Sequence, residues 1–103
     1  MTAKEDCLNY LTYRAERAAD WREFQACKYP ADSRNTLAAQ RLNTLAAGMT
    51  IPPDVWSDLE RHYDESSPRW LDAVSQTNRE VCFRKHPLDT AAYLRNLISN
   101  LTN

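Results

Sequence analysis

Residues 34–49, RNTLAAQRLNTLAAGM, contain the pentapeptide NTLAA twice, and this segment is the clearest indication of the fold class. The copies begin at Asn35 and Asn43, and an offset of eight residues rotates an α-helix by about 80°. Two copies of a binding motif would have to present the same face, and these do not. Their apolar residues instead merge into one wide band, which is typical of a helix packed in a core. The predicted band consists of Leu37, Ala38, Leu42, Leu45, Ala46 and Met49.

Both ends of this helix carry residues suited to capping. Asp32 or Ser33 can accept hydrogen bonds from its first free amides, and Gly48 stands where a left-handed terminating residue belongs. In that conformation, Gly48→Ala would destabilise the fold by about 1 kcal/mol. Gly48 is also the one glycine of the chain. Hairpins and phosphate loops need the positive φ that glycine supplies, so a helical bundle is favoured over a multi-stranded antiparallel fold.

Apolar periodicity and the positions of the prolines predict four further helices. The first covers residues 4–28, and Cys7, Leu8, Leu11, Ala15 and Ala18 share one of its faces. The third covers residues 53–65. The fourth begins at Ser67-Pro68 and stops at His86-Pro87, and Asp89 caps the fifth. A chain of 103 residues with short linkers corresponds to one domain, 1–103. The predicted fold class is all-α, a compact bundle of five helices.

Charge and hydropathy limit the possible partners. The net charge is −1, so no global field steers the chain to nucleic acid or to an anionic membrane. The N-terminal residues carry acids where an export signal needs positive charge, and no apolar run is long enough for a membrane span. We therefore expect a cytoplasmic protein with three reduced cysteines.

Several kinds of site are disfavoured by residue type and spacing. One glycine cannot build a dinucleotide fingerprint, a P-loop or a nucleophile elbow. Cys7 and Cys27 lie on one predicted helix, about 30 Å apart, so they cannot share a zinc ion or a disulfide. Cys82 and His86 have i, i+4 spacing, but two ligands are half of a structural metal site. We expect no metal and no cofactor.

A polar cluster near the end of the third helix contains hydrolytic residue types: Asp58, His62, Asp64, Glu65, Ser66 and Ser67. Asp58 and His62 could meet on one helix face, where a carboxylate can orient an imidazole. Catalysis also needs a pocket and oxyanion donors. We expect no catalytic residue, and the cluster fits an acidic, solvated helix end better than an active site.

The strongest functional signal is a second stripe on the first helix, beside its small-residue face. This stripe consists of Tyr10, Tyr13, Arg14, Arg17, Trp21, Phe24 and Lys28. Interleaved aromatics and cations can anchor a protein interface or stack bases and neutralise phosphates. They can also belong to a helix that is buried on two sides, with its cations at the edge.

These features favour a small protein-interaction module that acts by binding, either to another protein or as a homodimer. A nucleic-acid-binding regulator is the first alternative, with the second and third helices imitating a helix-turn-helix. Acidic Asp54, Asp58 and Glu60 suit a recognition helix poorly. A small hydrolase or metal-dependent enzyme around His62 is the second alternative.

Overall fold

The fold is all-α, as predicted. A computed structural model describes residues 2–84 and 88–103, and its helices run in the order α1 (Ala3–Lys28), α2 (Arg34–Ala47), α3 (Pro53–Leu59), α4 (Pro68–Val81) and α5 (Thr90–Thr102). Among the described residues, no helix combines the length and the apolar character that crossing a membrane requires.

The helices begin where the sequence offers capping groups. The side-chain oxygens of Thr2, Ser67 and Asp89 accept hydrogen bonds from backbone amides in the first turns of α1, α4 and α5. Asp32 accepts one from the amide of Arg34, the first residue of α2, as predicted. Each of these bonds satisfies an amide that has no partner inside its helix.

The most extensive helix contact joins α1 to α2 through a seam of small residues. Ala15 and Ala19 of α1 and Ala38, Ala39 and Ala46 of α2 are all buried, so the two helices approach closely. The larger core residues lie to one side of this seam. Leu11, Trp70, Val74, Tyr93 and Leu94 join in one apolar cluster that ties α1 to α4 and α5.

A chain of hydrogen bonds crosses the bundle beside this apolar cluster. The Tyr93 hydroxyl donates to Oδ1 of Asn78 at 2.6 Å, and Nδ2 of Asn78 lies 3.5 Å from the Arg14 carbonyl oxygen. The Arg14 guanidinium in turn donates to Ser75 Oγ at 2.9 Å and to the Tyr10 hydroxyl at 3.1 Å. These bonds satisfy polar groups that burial would otherwise penalise, and they fix the registers of α1, α4 and α5.

The predicted left-handed conformation of Gly48 is wrong. Its φ is −102° and its ψ is 10°. The Gly48 amide donates to the Thr44 carbonyl at 3.2 Å, and the Met49 amide reaches the Ala46 carbonyl at 3.4 Å. The last turn of α2 therefore tightens while staying right-handed, so the helix ends without a positive φ.

Leu37 does not belong to the core, although it was predicted in the apolar band of α2. Its side chain is 56% exposed, whereas Ala38, Leu42, Leu45, Ala46 and Met49 are buried as predicted. Successive residues point about 100° apart around a helix. Burial of Ala38 and Ala39 against α1 therefore leaves Leu37 at the edge of the contact.

Two helices are shorter than predicted. α3 ends at Leu59 instead of residue 65, and beyond it the Asp64 carboxylate accepts hydrogen bonds from the amide and hydroxyl of Ser66. Such local bonds offer the backbone an alternative to helix. α4 ends at Val81, because the amides of Cys82, Phe83 and Arg84 bond three residues back. The predicted stop at His86-Pro87 lies outside the described residues.

Candidate binding surface

Exposed apolar side chains collect at one end of the α1–α2 pair. Six large hydrophobic residues are exposed among those described, and four of them, Trp21, Tyr29, Leu37 and Phe83, line one cavity of about 740 Å³. Phe83 is the most exposed, at 81%. These residues come from the C-terminal end of α1, the start of α2 and the turn after α4. We call this concavity the aromatic cavity.

A second concavity of about 400 Å³ adjoins the first between α1, α2 and α4. Four arginines line it: Arg14, Arg17, Arg22 and Arg79. Its remaining lining consists of Ala18, Trp21, Leu42, Ser75, Asn78 and Cys82, so no carboxylate contributes to its wall. We call it the arginine cavity.

The two concavities form one continuous surface, because Trp21, Arg22 and Cys82 line both of them. Arg22 fixes this junction. One of its guanidinium nitrogens donates to Oδ1 of buried Asn35 at 3.0 Å, and its guanidinium carbon lies 5.0 Å from the centre of the Trp21 ring. A cation over an indole face is an attractive contact, so the indole is held at the boundary. The joined concavities are the two-cavity surface.

Positive charge is concentrated on the two-cavity surface of a chain whose net charge is −1. Arg34, Arg41 and Arg84 line the aromatic cavity in addition to Arg22. Among the described residues of the two walls, the one acid is Asp32. Its carboxylate is bonded to Arg34, which lowers the pKa of Asp32 to about 2. Seven of the ten arginines of the chain therefore line this surface. Its described lining contains one carboxylate, Asp32, which is paired with Arg34.

The local fold explains why Arg14 points into the arginine cavity. Tyr10 and Ser75 take two of its five N–H donors, and both partners are neutral. None of Arg14, Arg17, Arg22 and Arg79 forms an ion pair with a described carboxylate. The fold thus holds one guanidinium in place by neutral oxygens and leaves its charge uncompensated.

The aromatic and basic stripe predicted on the first helix is divided by the structure. Tyr10 packs against the core, with its ring centre 6.0 Å from that of Trp70. Arg14, Arg17 and Trp21 line the arginine cavity. Tyr13, Phe24 and Lys28 are exposed outside both walls, and the Lys28 ammonium lies 5.5 Å from the Tyr29 ring centre. The stripe is therefore one edge of the surface and not its whole extent.

The remaining members of the surface could not be found on α1 alone. Tyr29 lies in the connection after α1. The sequence pattern predicts that Leu37 is a core residue, and it places Phe83 and Arg84 inside a longer fourth helix. The early end of α4 brings the last two to the aromatic cavity. Arg41 supports this end, since its Nε donates to the Val81 carbonyl at 2.7 Å. That carbonyl also accepts the Arg84 amide at 3.3 Å, so the Arg41 side chain adds a second hydrogen bond at the C-terminal end of the helix.

The polar cluster around His62 does not form the predicted pair on a helix face. α3 has ended before His62, whose amide bonds to the Leu59 carbonyl in the following turn. Among the described residues, no hydrogen bond joins the side chains of Asp58 and His62. Glu65 accepts a hydrogen bond from the Tyr63 hydroxyl, and the pKa of Tyr63 is raised by burial first and by this neighbouring acid second. Asp64 and Glu65 thus bond to neighbours within the same loop.

The three cysteines are free thiols that differ in burial. Cys7 is buried, Cys27 is exposed, and Cys82 is half-buried at the junction of the two cavities. No group of three potential metal ligands is found within residues 2–84 and 88–103. His86, the proposed companion of Cys82, lies outside those ranges.

Comparison of the chain with known protein families, with curated proteins and with solved structures finds no match.

Proposed function

We propose that the protein is a small cytoplasmic interaction module that binds a partner protein, or a second copy of itself, through the two-cavity surface. The observation that carries this proposal is the gathering of Trp21, Tyr29, Leu37 and Phe83 around one cavity beside a wall of arginines. Contiguous exposed apolar surface marks interaction sites. Tryptophan, tyrosine and arginine are also the residue types that dominate binding energy at protein interfaces.

The surface is suited to binding and offers little for catalysis. It contains no histidine or unpaired carboxylate among its described residues that could serve as a general base, and a reaction needs such a group within hydrogen-bond reach of its substrate. Trp21 and Arg14 are instead held in place by their neighbours. Pre-positioned anchors reduce the entropy lost when a partner binds.

The helix-turn-helix alternative gains no support from the helices that would form it. α3 spans Pro53–Leu59, and Asp54 and Asp58 are exposed on it. α2 lies against α1 along its buried alanines. A recognition helix has to present base-reading or phosphate-binding side chains to the major groove, and carboxylates at these positions would repel the phosphates.

Site-specific photo-crosslinking in the source cells tests the proposal. A photoreactive benzoylphenylalanine at position 37 or 83, in place of Leu37 or Phe83, should give a discrete protein adduct on irradiation. The same group replacing Tyr13, which is 58% exposed but outside both cavities, is the matched control. Mass spectrometry of the adduct identifies a partner chain or a second copy.

Three outcomes would contradict the proposal. Positions 37 and 83 could give no adduct, or position 13 could give the same adduct with equal yield. The adduct could also disappear on nuclease treatment, which would favour the nucleic-acid alternative.

A further inference from the structure

The arginine cavity has a charge that its own walls do not balance. Arg14, Arg17, Arg22 and Arg79 line about 400 Å³ of space, and the described part of its wall contains no carboxylate. Like charges in a partly desolvated concavity repel one another more strongly than in water. Such an arrangement is stabilised when an anion enters, so the cavity has the composition of an anion-binding site.

Guanidinium groups match a planar anion in shape as well as in charge. Each arginine presents a rigid fork of N–H donors that can bond both oxygens of a carboxylate. Arg14 is already oriented by Tyr10 and Ser75, with hydrogen bonds of 3.1 and 2.9 Å. Arg17 is exposed on the same side of α1, and Arg79 approaches from α4 across the cavity. Carboxylates entering there would meet donors from two helices.

The adjoining aromatic cavity requires that the ligand also carries apolar groups. Leu37 and Phe83 are largely exposed at its wall, and covering them removes apolar surface from water. The two spaces, about 400 and 740 Å³, meet at Trp21. A ligand that fills both must therefore be extended and carry apolar groups beside its anionic groups, since arginines line both spaces.

An acidic polypeptide segment fits these requirements better than a nucleic acid. A nucleic acid is a long polyanion that experiences the charge of the whole protein, and this protein has five acids and one arginine between residues 54 and 65. A short segment experiences mainly the local field of the cavity, since salt screens charges beyond about 10 Å.

We infer that the two-cavity surface recognises an acidic segment of its partner protein. Carboxylates of the segment bind Arg14, Arg17 and Arg79 in the arginine cavity, and a neighbouring apolar side chain enters the aromatic cavity past Trp21. This inference rests on the proposed function and adds the chemistry of the bound segment to it.

A synthetic peptide tests the inference directly. The probe is a fluorescein-labelled peptide of four repeats of aspartate, glutamate and phenylalanine, and its control has serine at every acidic position. In fluorescence anisotropy at about 50 mM salt, the acidic peptide should bind and the serine peptide should bind at least tenfold more weakly. A single-stranded oligothymidylate of twelve nucleotides is measured alongside.

Matched arginine variants locate the binding. Arg17→Gln with Arg79→Gln should weaken the acidic peptide at least about tenfold, because both side chains line the arginine cavity. Arg61→Gln with Arg95→Gln removes the same charge from two exposed residues outside both cavities, and should weaken it less than about threefold. Trp21→Ala is an independent variant at the junction and should also weaken binding. Far-UV circular dichroism and melting temperature verify that each variant is folded.

The inference is overturned if the acidic peptide fails to bind, if the two arginine pairs have equal effects, or if the oligonucleotide binds more tightly than the peptide. A wild-type dimer that the Arg17→Gln, Arg79→Gln pair converts to monomer in sedimentation would overturn it in favour of a second copy as occupant. The proposed function fails separately. If position 83 gives a protein adduct but the acidic peptide does not bind, the protein is an interaction module whose partner segment is not acidic. If the peptide binds but no photo-crosslinked adduct forms at any position, the proposed function is contradicted.

Discussion

The two ends of the α1–α2 pair use similar residues in opposite ways. At the packed end, Cys7 and Leu11 of α1 are fully buried, and Leu45 and Met49 of α2 lie in the same core. At the open end, Trp21, Cys27 and Leu37 are exposed. The packed end is covered by α4 and α5, whose Trp70, Val74 and Tyr93 join its cluster. Whether an apolar residue is core or surface is therefore decided by a third helix, not by the pair.

This difference explains how one long helix can have two purposes. Its small residues, Ala15 and Ala19, seal the contact with α2 near its middle. Cys7 and Leu11, before them, are buried in the core, whereas Trp21 and Phe24, after them, are exposed. A surface substitution at the open end should consequently change binding without changing the stability of the fold.

The largest difference between the ends should appear in thiol reactivity. Burial raises the pKa of Cys7 to about 12, with a smaller contribution from the charge of Glu65, and the thiolate is the reactive form. In a Cys82→Ser background at pH 8, Cys27 should react with Ellman's reagent in the native state. Cys7 should react more than about 1000-fold more slowly, because it requires unfolding. Equal rates in native protein would show that the packed end opens locally, whereas equal rates in guanidinium are the control.

The same pKa shift gives a sign for the pH dependence. The pKa of Cys7 is raised in the folded state, so its contribution to stability is complete below the ordinary thiol pKa of about 8.5 and declines as the pH rises toward 12. Cys7→Ala should flatten this alkaline decline in urea unfolding measured between pH 8 and pH 10.

Two leucine-to-alanine substitutions compare the packed and open ends by their effects on the free energy of unfolding. Leu11→Ala at the packed end should lower the free energy of unfolding by about 2–5 kcal/mol, since it leaves a cavity in the core. Leu37→Ala at the open end should change it by less than about 0.5 kcal/mol, because that side chain is 56% exposed. Urea unfolding followed by circular dichroism measures both. A large loss from Leu37→Ala would mean that the open end carries part of the core.

A change of opposite sign, and smaller than that of Leu11→Ala, is expected at Gly48, at the packed end of α2. Its φ of −102° is accessible to any residue, and an added Cβ would lie 3.7 Å from the Thr44 carbonyl oxygen, an ordinary contact. Gly48→Ala should therefore stabilise the protein by about 0.4–1 kcal/mol, because alanine restricts the unfolded chain. A lowered urea midpoint would instead support the left-handed Gly48 conformation that the sequence predicts.

The helices and the core were predictable because their signals are local. Prolines 53 and 68 begin α3 and α4 as expected, and an apolar period of 3.6 residues identifies Leu11, Leu42 and Leu45 as buried. Helix ends were less predictable. Asp64 and Ser66 form a turn that competes with helix, and Arg41 binds the last carbonyl of α4 from a distant part of the chain.

The two-cavity surface could be predicted only in part, since it is assembled from three segments. Three residues of the α1 stripe, Trp21, Arg14 and Arg17, line the arginine cavity, and their role in binding stays a prediction. Leu37 and Phe83 carry no sequence signal of exposure, because an apolar residue beside a helix band is ordinarily buried. Their position became evident only from how α1, α2 and the end of α4 meet.

The short connection between α1 and α2, residues 29–33, also has a consequence for folding kinetics. Closing so small a loop costs little chain entropy, and helical proteins with local contacts fold within microseconds to milliseconds. The α1–α2 hairpin can therefore form early, along its alanine seam, before α5 arrives from the far end of the chain. Side chains at the open end gain few contacts in that step or later, so substitutions there should leave both folding and unfolding rates unchanged. The exposed residues at the open end are thus free to diversify without slowing the formation of the native state.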